Sequence, residues 1–160
     1  MDFLWQSIAV GVGATLFMDI WALIQKKLFN IPSLNYALVG RWIVLMKQGR
    51  FCHNTIIQAP EQSGEKTTGW VVHYLIGIFF SMLLILLIGK NWLQDPTILP
   101  ALLTGLVSAL APFLLMQPCF GFGIAASKTP APWVARRRSL VAHLSFGVGL
   151  WFTAWLLALT

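Results

Sequence analysis

The chain has 160 residues, 58% of them hydrophobic and only 10% charged, with a net charge of +6. Soluble proteins carry about 25% charged residues. So few charges cannot cover so much apolar surface, which excludes a soluble domain. The basic excess does not indicate nucleic acid either, because the basic residues fall between long apolar runs. There they act as topology signals and as contacts for anionic lipid.

A spanning helix needs about 20 mainly apolar residues. Four runs meet that length, at residues 3–25, 69–89, 97–117 and 139–159. They predict an all-α, polytopic fold: a single transmembrane domain over residues 1–160, built as a compact four-helix bundle. The N-terminal MDFLWQ carries Asp2 where a signal peptide would be basic, so the first run is expected to be a retained span. A shorter run, residues 34–46, contains Arg41 and is too short to cross comfortably. It is expected to be an interfacial or re-entrant helix starting near Pro32 and Ser33, with Tyr36, Arg41 and Trp42 in the headgroup layer.

The loops at 26–68 and 118–138 hold ten of the eleven basic residues, and only Lys90 lies on the other side. The positive-inside rule places those two loops in the cytoplasm and both termini outside. In a bacterium this means a multi-pass protein of the inner membrane with periplasmic termini. Cys52 and Cys119 then face a reducing compartment, and a disulfide framework is not expected. RFCHN, with Cys52 beside His53, reads as a plain loop. Arg136, Arg137 and Arg138 read as a membrane anchor facing lipid headgroups.

Chemistry-bearing residues are few. Asp19 lies inside the first span, where a charge costs about 2.5–3.5 kcal/mol on insertion scales. Gly11, Thr15 and Asp19 share one small or polar face, which suits close helix approach. His73 precedes Gly77 by four residues, as His143 precedes Gly147, in the segments GWVVHYLIGIFF and SLVAHLSFGVGLWF. That likeness is consistent with two helical hairpins in parallel repeat. Pro112 should kink the third span, which ends in LLMQPCFGFG, with Gln117 on the same stripe as Ala101, Gly105 and Ala109.

Asp19, His73, Gln117 and His143 therefore come from four helices at a similar depth, within roughly 10 Å of the cytoplasmic face by helix rise. Such a layer suits a polar relay or binding site, as in a small proton- or cation-linked transporter or channel-like protein. Asp19, His73 and His143 could alternatively hold a metal. A third possibility is an accessory or assembly subunit in which the layer only fixes packing. No paired carboxylates or Ser/His/Asp order points to an enzyme, and the residues single out no cofactor. The expected partner is the lipid bilayer, with a homo-oligomer left open and no nucleic acid.

The segments GVGATLFMDIWALIQ, YALVGRWI with GRFCH, GWVVHYLIGI, FLLMQP with GIAASKTP, and RSLVAHLSFGVGLW carry a resemblance over nearly the whole chain. In that order they resemble the blocks of an uncharacterised bacterial integral-membrane family, a domain of unknown function. The resemblance implies an inner-membrane protein of four spans and implies no activity or catalytic residue.

Overall fold

The computed structural model describes residues 3–159. Asp2 and the last residue, on which the expectations about the chain ends bear, lie outside the described residues. The protein is all-α, with helices α1 (Phe3–Phe29), α2 (Tyr36–Met46), α3 (Glu65–Ile88), α4 (Ile98–Ser108), α5 (Gln117–Cys119) and α6 (Pro132–Ala158). Four segments are long and apolar enough to cross a bilayer: α1, α3, Ile98–Cys119 and α6. Their outward residues include Leu16, Ile20, Phe79, Leu87, Leu103, Leu106 and Phe152, all exposed on the isolated chain. An apolar surface that continuous is stable only against lipid.

The helix limits follow local chemistry. Lys26 and Lys27 occupy the last turn of α1, where cations meet the negative end of the helix dipole. Asn30 then turns left-handed (φ 53°), and the Ile31 N–H donates back to the Gln25 carbonyl at 3.3 Å, closing the helix. Helix α2 starts later than Pro32 and Ser33 suggest. Its cap is Asn35, whose side-chain oxygen accepts from the Ala37 N–H at 3.1 Å. Pro132 opens α6 seven residues before the expected boundary at 139, because proline is tolerated in a first helical turn. Arg136, Arg137 and Arg138 are consequently helical and not in a loop.

Pro112 does interrupt the third span. Helix α4 ends at Ser108, and the chain then passes through a π-helical stretch, Pro112–Met116, before α5. Proline lacks the N–H that the α register requires, and the wider turn accommodates it: the Gln117 N–H bonds to the Pro112 carbonyl.

The chain divides into two compact units, residues 1–33, 74–108 and 140–160 in the first and 34–73 and 109–139 in the second. In the first, the helices meet through small residues. A Cβ on Gly11 would strike the backbone of Ile78, and one on Gly77 would strike Thr15 Oγ1. Gly105 sits against His143 and Gly147, and Gly149 against Ala14. The faces predicted from Gly11, Thr15, Gly77 and Gly147 are thus helix–helix contacts. Val10, Ala14, Leu84, Ile85, Ala101, Phe146 and Leu150 fill the core between them. At one end, the Trp92 indole donates to the Thr97 carbonyl at 3.0 Å and the Trp151 indole to the Pro96 carbonyl at 3.1 Å.

The second unit is held differently. Trp42, Leu45, Ile56 and Phe120 form a small core. Gly40 and Gly69 bring α2 and the start of α3 into backbone contact, since a Cβ on either would overlap a carbonyl of the other helix. After α5 the chain makes a tight turn in which Ala125 and Ala126 are both left-handed, φ 48° and 59°, and the Arg136 Nε–H donates to the Ala125 carbonyl at 2.8 Å.

Candidate functional site

Within the first unit, Asp19 projects from α1 and accepts a hydrogen bond at 3.1 Å from the hydroxyl of Tyr74 on α3. Thr15, one turn before Asp19, is buried and donates to the Gly11 carbonyl at 2.8 Å, so its hydroxyl is satisfied within its own helix. The carboxylate therefore has a partner on a neighbouring span, as an intramembrane acid requires. Asp19 and Tyr74 each take part in further interactions.

His143, on α6, meets α4. Its Nδ1 lies 2.7 Å from Ser108 Oγ, and the Ser108 hydroxyl also lies 2.6 Å from the Gly105 carbonyl. Ser108 is buried. One hydroxyl proton cannot serve both, so if Ser108 donates to Gly105 it accepts from a protonated Nδ1. The close approach at Gly105 places the two side chains together.

His73 and Gln117 belong to the second unit. The His73 ring stacks on Tyr36 at 4.0 Å between centroids with a 24° interplanar angle, and meets Trp70 edge-on at 5.9 Å. Tyr36 and Trp70 are 4.7 Å apart, so three rings cluster where α2 begins. Gln117 Oε1 is buried with no hydrogen-bond partner among the described residues. Within neither unit do three His, Cys, Asp or Glu side chains gather around one point, among the described residues.

Arg41 is held within the protein, 6% exposed. Its Nε and Nη2 donate to the two carboxylate oxygens of Glu65, both at 2.8 Å, and Nη1 donates to the Ala59 carbonyl at 2.9 Å. Glu65 also accepts from the Gln62 N–H at 2.9 Å. The bond to Glu65 holds the Arg41 guanidinium above its already high range, against burial, which acts the other way. Neighbouring Trp42 is likewise buried, its indole donating to the Phe51 carbonyl at 2.7 Å. Arg41 and Trp42 of α2 thus both find their hydrogen-bond partners within this unit. Arg137 and Arg138 are exposed, while Arg136 is the one tied to Ala125.

Tyr74, Ser108 and Glu65 were not singled out by the sequence reading. Tyr74 carried a usable signal: a phenol in an apolar run needs a hydrogen-bond partner. Glu65 carried less, since an acid in the first turn of a helix is ordinary.

The four apolar spans and the polar pairs between them define a multi-pass α-helical membrane protein. The chain belongs to the DUF2938 family, proteins of unknown function, whose family model matches residues 8–157. Neither a curated protein nor a solved structure shows significant similarity to it.

Proposed function

We propose that the protein is a small proton- or cation-linked transporter or channel-like protein of the bacterial inner membrane, with its basic loops in the cytoplasm. The Asp19–Tyr74 hydrogen bond between α1 and α3 carries this reading. A carboxylate in an apolar span is costly, and it is tolerated where it is paired. Ser108–His143 supplies a second polar pair between spans in the same unit. The uneven Lys and Arg distribution supports the orientation, which a reporter fused after Thr160 tests by being active only in the periplasm.

The deciding experiment is ion flux in liposomes containing the purified protein. Wild type should dissipate a proton or cation gradient, and Asp19→Asn should abolish that flux while keeping the melting temperature of the wild type. Flux absent in wild type, or unchanged in Asp19→Asn, rejects the relay and leaves the polar pairs to helix packing, as in an accessory subunit.

A further inference from the structure

We propose that Cys52 and Cys119 form a redox-active dithiol that exchanges with a low-molecular-weight, anionic disulfide. Sixty-seven residues apart in sequence, their sulfurs lie 2.7 Å apart, with both cysteines in the free form. A covalent bond of about 2.05 Å requires less than an ångström of further approach.

The pairing is built into the backbone. The His53 N–H donates to the Cys119 carbonyl at 2.8 Å, and the Ile56 N–H donates to the Phe120 carbonyl at 3.0 Å. The left-handed Gly121 lies so close to the Asn54 carbonyl that a side chain there would overlap it. These contacts clamp the two cysteine-bearing segments together whatever the state of the thiols.

Access divides the roles. Cys52 is exposed and Cys119 half-buried, so Cys52 is the attacking thiol and Cys119 the resolving one. A cavity of about 510 Å³ adjoins them, lined by His53, Asn54, Pro118, Ser127 and Lys128 among others. His53 follows Cys52 in the chain and Pro118 precedes Cys119. His53 Nε2 is buried with no hydrogen-bond partner among the described residues. The lining contains Lys128 and no acidic residue, which suits an anionic molecule.

The Cys52 thiolate attacks one sulfur of the external disulfide RS–SR, breaking that bond and releasing RS⁻, which takes up the proton lost by Cys52. The Cys119 thiolate then attacks the Cys52 sulfur of the mixed disulfide and expels the second RS⁻, which takes the Cys119 proton. The protein loses two electrons and two protons, and the external disulfide becomes two thiols.

The test uses the full-length protein in mild detergent, fully reduced and then equilibrated in buffers of dithiothreitol and oxidised glutathione. Intact mass and thiol labelling are read at each ratio. Wild type should lose two hydrogen atoms in a single transition, with both thiols protected together in a monomer. Cys119→Ser should stop with one glutathione on Cys52, and Cys52→Ser should take up none, each with the wild-type melting temperature. Two labelled thiols in oxidising buffer, a wild type that stays glutathionylated, a disulfide-linked dimer, or glutathione on Cys119 in Cys52→Ser would each overturn the proposal.

Discussion

The two units of the chain use opposite means of bringing helices together. In the first, Gly11, Gly77, Gly105, Gly147 and Gly149 remove side chains, so that helices meet at backbone distance and the core between them is apolar. The second also has a glycine contact, Gly40 with Gly69, but around it directional groups dominate: a bidentate ion pair, three clustered rings and paired thiols. A unit built by subtraction should be sensitive to added volume and tolerant of lost charge. A unit built on directional bonds should show the reverse.

The largest expected effect is at the ion pair. Arg41→Ala leaves the Glu65 carboxylate buried without its partner and should cost about 3 kcal/mol, toward the lower end for a broken buried pair. Replacing both residues by apolar ones of similar size, Arg41→Met with Glu65→Leu, should recover most of the loss. Thermal unfolding in detergent measures both. Recovery would show that the cost lies in the stranded charge, whereas a double variant as unstable as the single one would assign it to packing.

Gly105→Val is next. Its side chain would press into the His143 carbonyl and Gly147, and overpacking of this kind costs about 2 kcal/mol. The comparison fails if this variant melts like wild type. The smallest effect belongs to a charge in the first unit. Lys90 lies over the Phe3 ring at 5.3 Å from its centroid, and both side chains are open to solvent or partly so. Lys90→Met should therefore change stability by no more than about 0.5 kcal/mol. A larger loss would mean that the first unit also depends on charge.

The same contrast explains what could be read from the sequence. Long apolar runs and i, i+4 small residues are local patterns, so the spans and the faces bearing Gly11, Gly77 and Gly147 followed from spacing alone. Asp19 stood out because its surroundings are apolar. Its partner did not, since Tyr74 is 55 residues away and nothing local aims one side chain at the other. Arg41 stood out as the one charge in a short apolar run. Its partner Glu65, brought in by the Gly40–Gly69 contact, did not, because it lies 24 residues away. The likeness between the segments around His73 and His143 extends to their glycines, both of which receive another helix. It does not extend to the histidines: one stacks on an aromatic ring and the other meets a hydroxyl. Cys52 and Cys119 are brought together by backbone hydrogen bonds from the segment after Cys52 to the end of α5, which leave no periodic trace.

The left-handed alanines at 125 and 126 imply where the protein yields first. A residue with a Cβ pays roughly 1–2 kcal/mol in that conformation, and here two adjacent residues do so. The turn is thus imposed by its surroundings, and one of the ties that hold it is the Arg136 bond to the Ala125 carbonyl. A segment kept against its own preference gains by opening, so its amides should exchange with solvent ahead of those in the flanking helices. The turn behaves as a preloaded catch, and a single guanidinium is one of the fingers on it.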